Sequence, residues 1–289
     1  MYYDHFQKPL VQDFILYLKI VPKISRRRSE RMPEIQIKAK TLDSVQNALR
    51  MLNCFSSEEP VKRVMELSRA LDLDKSSVSR IISTLKVEGF IEKDPSSRGY
   101  KLGPAVLSLG NAYKNSNELY HEAKPVLKSL VESVGETAQL AILADSNEVL
   151  FIESIECKHP LRFMASPGSR SPVHCSSSGK VLVAFQNDNQ LIDHVISKGL
   201  EPWTSETITD ENDFKEELSR VRRQGYALSS GERYEGVIAA AAPIRNKEGD
   251  VVAAINITGP SSRLKHEKLK IGIRHLVRAA DEISKCFQY

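Results

Sequence analysis

The chain has 289 residues, 41% of them hydrophobic and 27% charged, which is enough for an ample core and more than a common single domain, so two domains are expected. Its net charge of +4 is unevenly placed: residues 1–40 hold nine Lys/Arg against four Asp/Glu, residues 41–103 ten against nine, and the remainder 22 against 24. Bulk charge therefore does not identify a polyanionic partner, and only the placement of particular side chains can.

Near the start, Phe14 to Val21 is the strongly apolar stretch; it is too short to span a membrane and is interrupted by Lys19. Arg26, Arg27 and Arg28 follow this run instead of preceding it, the reverse of a signal peptide, so no export and no membrane partner are expected. Residues 1–40 share nothing with the pattern that begins at Thr41. They read as a basic tail adding phosphate contacts or, with equal weight, as a misassigned start upstream of Met32. Cys54, Cys157, Cys175 and Cys286 are scattered, without a CxxC pair or a histidine at ligand spacing. Neither a disulfide framework nor a zinc site is indicated, a reducing cytoplasm fits, and no metal or cofactor is expected.

From Ser44 to Phe55 the apolar residues Val45, Ala48, Leu49, Leu52 and Phe55 recur at helical spacing, with Asp43 or Ser44 as the cap. A second helix is predicted from Val64 to Ala70. After the turn Leu71 to Asp74, a third runs from Lys75 to Glu88, burying Val78, Ile81, Ile82 and Leu85 and stopping at Gly89. Phe90–Lys93 and Tyr100–Leu102 then read as short strands around the turn-forming segment Asp94 to Gly99. Three helices and a hairpin make a winged helix-turn-helix over residues 41–103. Its third helix would enter the major groove, and operator DNA is the expected partner. On the outward side this helix presents Lys75, Ser76, Ser77, Ser79, Arg80, Ser83 and Thr84, short hydroxyls and cations suited to bases and phosphates, while Lys93 and Arg98 belong to the wing. Such a face on a lone helix would more often be merely solvated; the wing behind it reverses that reading.

The stretch Glu66 to Gly103, ELSRALDLDKSSVSRIISTLKVEGFIEKDPSSRGYKLG, resembles the DNA-binding domain of the IclR family of transcription regulators. The resemblance continues through Ser171–Lys180, Arg223–Tyr226, Glu235–Gly236 and Asn256–Pro260. Arg63 departs from it, standing near where the family usually has a Ser or Thr capping the second helix.

Pro104 opens a linker helix, taken over 104–118, and Leu119 to Val134 forms a second amphipathic helix stopped by Gly135. The resemblance implies that these helices help pair subunits, as a homodimer or a dimer of dimers. In the remainder, taken as one domain over 119–289, Ala138–Ala144 and Val149–Ile155 read as strands, and Val237–Ile244 and Val251–Thr258 as a hairpin. One helix begins near Asp210, carries Phe214, Leu218 and Val221 on one face, and stops at Gly225; a final helix runs from Ser262 to Phe287. The class is α+β, an antiparallel sheet with flanking helices, and the resemblance implies a GAF-like effector domain.

Ser176, Ser177, Ser178 and Gly179 precede a helical run and would offer hydroxyls and N–H groups at a helix N-terminus, an anion site for a carboxylate, with ordinary serine capping as the plainer alternative. Ala239 to Ala242 would leave space beside the sheet or simply pack tightly. Asn256 and Thr258, two apart in a strand, face one side. By resemblance the effector pocket draws on the serine loop, the segment after Gly225 and Tyr226, the Ala239 strand, and Asn256 and Thr258. Ser229 and Ala239 stand where some keto-acid-binding members carry Asp and Cys, so those ligands are not carried over. The expected function is a transcription regulator, a repressor of a catabolic operon, controlled by a small organic acid. Enzyme readings fail: a phosphate loop ending at Lys180 would need Gly at 174, where His174 stands, and Ser or Thr at 181, where Val181 stands. His174 and Cys175 are adjacent and their side chains point apart.

Overall fold

The computed structural model describes residues 41–56, 59–144, 147–186 and 189–286. The expectation of a basic tail therefore lies outside the described residues, as does the Phe287 end assigned to the last helix.

The N-terminal helices are α1 (Asp43–Leu52), α2 (Val64–Leu71) and α3 (Lys75–Val87), followed by strands β1 (Ile91–Lys93) and β2 (Tyr100–Leu102). Met51, Phe55, Leu67, Val78, Ile82, Leu85 and Ile91 form their core. On α1 the buried edge differs from the predicted one. Met51 is fully buried whereas Val45 and Leu49 are exposed; the helix carries two neighbouring apolar stripes, and periodicity alone does not say which meets the core. Arg63 does not prevent α2 from starting at Val64, because the Glu66 carboxylate accepts the Arg63 N–H at 2.7 Å and supplies the cap from inside the helix. Asp74 caps α3 by accepting the N–H groups of Ser76 and Ser77, both at 2.9 Å. Lys62 pairs with Tyr100 through two backbone bonds, an added bridge beside the wing that one residue cannot announce by pattern. Gly103 is required by close approach, since a Cβ there would collide with the Gly89 carbonyl.

Helices α4 (Ala105–Ser116) and α5 (Glu118–Val134) lead into the second half. Asn117 caps α5 by accepting the Tyr120 N–H at 3.0 Å, and Gly135, at φ 74°, ends it. The remaining elements are β3 (Thr137–Leu143), β4 (Glu148–Ile155), β5 (Arg170–Pro172), α6 (Ser177–Ala184), α7 (Asn189–Ser197), α8 (Glu211–Gln224), β6 (Ala227–Ser230), β7 (Val237–Arg245), β8 (Val251–Pro260) and α9 (His266–Cys286). The strands make one antiparallel sheet in the order β5-β4-β3-β8-β7-β6. Side chains alternate across it, apart from register shifts at Leu140/Ala141 and Ile244/Arg245. Leu140, Ala240, Ile255 and Ile257 join Leu127, Leu130, Leu276 and Ile283 of α5 and α9 in one core. Ala141, Ala227, Ala241 and Ala254 join Val181, Leu182, Phe214 and Leu218 of α6 and α8 in a second core on the opposite face. The expected α+β architecture is present.

Strands β5 and β6 and helix α7 extend what the sequence predicted, and each is too short for a period to stand out. The last helix begins at His266, four residues later than expected, because Arg263 and Leu264 both donate to the Pro260 carbonyl and hold that stretch in a turn.

Candidate functional site

Two sites emerge. On the outward face of α3, Lys75, Ser76, Ser79, Arg80 and Thr84 are exposed, with Ser77 half-buried at the edge. Ser76 Oγ donates to Asp74 at 2.5 Å, Ser83 Oγ to the Ser79 carbonyl at 2.9 Å, and Thr84 Oγ1 to the Arg80 carbonyl at 3.1 Å. Their hydroxyl protons are engaged, so the outward helix face offers oxygen lone pairs from these residues and positive donors from Lys75 and Arg80. The wing is held at its turn by Ser96 Oγ donating to Asp94 at 2.8 Å and by the Asp94 N–H donating to the Gly99 carbonyl at 3.0 Å. Lys93 and Arg98 stand exposed on it.

The second site is a cavity over the polar end of the sheet. Pairing places Gln139 opposite Asn256 and Asn256 opposite Ala241 in one row, and Thr258 opposite Ala239 and Ala239 opposite Ser229 in the next. Farther along the same face the row is Ala141 and Ala254, covered by α6 and α8. The helices thus seal the apolar end, while Gln139, Asn256, Thr258, Ala239 and Ser229 line a cleft together with Phe151, Phe163, Ser176, Ser177, Arg233 and Tyr234. Its volume of about 1240 Å³ includes an extension toward Phe55, Phe90 and Leu102.

The serine loop divides its labour. Ser176 caps α6, accepting the Gly179 N–H at 3.2 Å and donating to the Pro172 carbonyl at 2.8 Å. Ser178 Oγ accepts from Asn256 Nδ2 at 2.9 Å and so fixes a sheet residue. Ser177, 1% exposed, lines the cavity with its hydroxyl unpartnered. Gly179 and Ser178 do not line the cavity, which corrects their expected place on it. A Cβ on Gly179 would collide with Val173 backbone atoms, so glycine serves packing there. Ser229 donates to the Cys175 carbonyl at 2.9 Å, tying the loop to β6. Of the four alanines only Ala239 faces the cleft; Ala240, Ala241 and Ala242 are buried in the two cores, so the space expected beside all four is confined to one.

Lys180, which the sequence marked only as the end of a failed phosphate loop, is a structural surprise. It is 1% exposed, and its ammonium donates to Glu232 at 2.6 Å, Glu217 at 3.3 Å and the Leu228 carbonyl at 3.1 Å. Burial pushes the Lys180 pKa down and that of Glu232 up, each opposed by the other's charge. Arg220 also pairs with Glu217. This network locks α6 to α8 and to the loop before β7. Thr204 and Thr207 hydroxyls pin the same loop by donating to the Gly231 and Glu232 carbonyls, each at 2.7 Å. The next residue, Arg233, stacks its guanidinium 3.2 Å from the Trp203 ring centre. Nothing in the sequence flagged Gln139, Arg233 or Trp203, because they come from separate elements. Burial pushes the Cys175 thiol up to about 12, an unreactive neutral group. His174 bonds the Glu201 carbonyl at 3.0 Å through Nε2, and burial lowers its pKa.

An exposed cationic helix face backed by a wing, joined to a helix-covered sheet with a polar cleft, defines the class of ligand-responsive winged helix-turn-helix proteins. Residues 44–95 match the IclR helix-turn-helix domain and residues 111–285 the bacterial transcriptional regulator IclR C-terminal domain. The chain is 34% identical to the HTH-type transcriptional regulator BhcR of Paracoccus denitrificans over 76% of its own length and 78% of that protein's. It is 32% identical to the HTH-type transcriptional repressor AllR of Salmonella typhi, over 85% and 90% of the two chains. An IclR homologue from Microbacterium hydrocarbonoxydans, solved in complex with 4-hydroxybenzoate, superposes with a TM-score of 0.72 at 27% identity, covering 85% of this chain and 99% of that one. The chain belongs to the IclR family of bacterial transcriptional regulators, and these relatives are regulators, not enzymes.

Proposed function

We propose that this protein represses a catabolic operon by binding operator DNA through α3 and the wing, and releases it when a small carboxylic acid enters the cleft. The unpartnered polar floor of that cleft carries the reading. Among the described residues the N–H groups of Ser177 and Ser178 at the start of α6 make no backbone hydrogen bond, and the helix dipole adds partial positive charge beside the Ser177 hydroxyl. Support for repression and for an organic acid comes from the names of the relatives: one is a repressor and another holds 4-hydroxybenzoate.

Lys75, Ser76, Ser77, Ser79, Arg80 and Thr84 meet the major groove and Lys93 and Arg98 the flanking backbone. Ser177, Ala239, Asn256 and Thr258 touch the effector, while Ser176, Ser178, Gly179 and Ser229 hold their positions. Residues 41–103 and 119–289 act as two domains joined through 104–118. A single α3 reads too few base pairs for genomic specificity, so the protein works as a homodimer or dimer of dimers on a near-palindromic operator with half-sites about one helical turn, ~10 bp, or a multiple apart. Its place of action is the cytoplasm, where the chromosome lies. The test is a gel-shift titration on operator DNA with a panel of small carboxylates. At least one acid releases the wild type, and Ser177→Phe, which fills the cleft, abolishes that release. Release by uncharged metabolites alone, unchanged in Ser177→Phe, overturns both the acid and the site.

A further inference from the structure

We infer that the cleft selects a monocarboxylate that carries its own hydrogen-bond donor, a hydroxyl or N–H, and that Gln139 and Arg233 are the residues that make this selection. The inference rests on the acid-effector reading above and goes beyond it by naming the second functional group.

Gln139 sits on β3 at the centre of the sheet, 1% exposed, and neither its amide oxygen nor its amide nitrogen has a partner among the described residues. A buried amide left unpaired at both ends is costly, and a ligand that displaces water from it must offer an acceptor and a donor together to relieve that cost. This demand survives exchange of the amide's O and N positions, because both atoms are orphaned. A plain carboxylate is acceptor-only and would satisfy half of it. Asn256, paired with Gln139 across the strands, adds an orphaned Oδ1 to the same floor.

Arg233 supplies the charge selection. Its Nε and Nη1 have no partner, and no carboxylate pairs with it among the described residues, since neighbouring Glu232 is taken by Lys180. Of the two arginines that line the cleft, Arg170 pairs with Glu148, whereas Arg233 meets no carboxylate among the described residues, which leaves its charge uncompensated at the cleft. One carboxylate neutralises it; a dicarboxylate would bring a second, unpaired anion into a partly desolvated site. The stack on Trp203 fixes the guanidinium plane in advance.

The experiment measures affinity by calorimetry for matched acids, 4-hydroxybenzoate with benzoate and 3-hydroxybutyrate with butyrate, and for the neutral 4-hydroxybenzamide. In the wild type at least one hydroxy acid binds tenfold or more tightly than its deoxy partner. Gln139→Leu reduces that preference to within twofold. Arg233→Met weakens both members of the pair to a similar extent, preserving the preference. Without ligand, Gln139→Leu melts above the wild type, because the unpaired amide is gone. A preference that persists in Gln139→Leu, or deoxy acids binding as tightly as hydroxy acids, overturns the inference while leaving the acid reading intact. Binding of 4-hydroxybenzamide with no binding of any acid overturns the acid reading itself.

Discussion

Serines cluster twice in this chain, on α3 and at the start of α6, and burial sets the two clusters apart. On α3, Ser76, Ser79 and Ser83 are exposed, and water can serve whatever their own helix does not. At α6, Ser177 and Ser178 are each 1% exposed, so every polar atom there must find a protein partner or await a ligand. Ser176 and Ser178 have found theirs, and Ser177 has not. The same residue type therefore makes an exposed, solvated face in one place and a scaffold with one open position in the other.

Four substitutions probe this contrast, starting with the most damaging. Ile82→Asp puts an unpaired charge into the N-terminal core, where Ile82 is 3% exposed; residues 41–103 unfold and operator binding is lost, while the C-terminal region still melts cooperatively. A single concerted loss in calorimetry would break the two-domain division. Lys180→Met removes the cation between Glu217 and Glu232 and leaves two buried carboxylates without it. It should cost about 3–5 kcal/mol in urea denaturation. A cost below about 1 kcal/mol would show the network to be incidental.

Arg80→Ala leaves the fold intact, because the side chain makes no contact with the core. Loss of a guanine contact costs about 1–3 kcal/mol of operator affinity and relaxes one position. Loss of a phosphate contact instead lowers the salt slope by about one unit uniformly across sequences. Operator affinity equal to wild type removes α3 as the reading helix.

The smallest effect concerns pH. Hydrogen bonds from Ser76 and then Ser77 hold the exposed Asp74 carboxyl well below the usual range. A carboxylate depressed in the folded state stabilises it above its unfolded pKa of about 3.9 and loses that contribution as the pH falls toward the folded value. Asp74→Ala should therefore flatten the acid limb of the N-terminal melting profile. An unchanged acid limb would mean that the cap is not coupled to stability.

The outward face of the helix-turn-helix was legible because it is local. Thirteen consecutive residues form α3, helical periodicity sorts inward from outward, and the wing follows directly. The strands β3, β4, β7 and β8 were legible for the same reason, each being long enough to show a period of two. Where two apolar stripes adjoined, as on α1, periodicity identified the helix and missed the buried edge. The cleft was legible only in part: alternation places Asn256 and Thr258 on one side, but Gln139, Arg233 and Trp203 reach the site through packing.

The sequence by itself determined the longer helices and strands, the caps and turns of the N-terminal helices, and which face of α3 remains free, since these depend on neighbours a few residues apart. Tertiary structure alone decided that Gly179 packs on Val173, that Lys180 is buried between carboxylates 37 and 52 residues away, and that Gln139 is left with an unpaired amide. Those outcomes follow from strand order and burial, and whether a polar group is partnered is a property of the assembled surroundings, which no local pattern encodes.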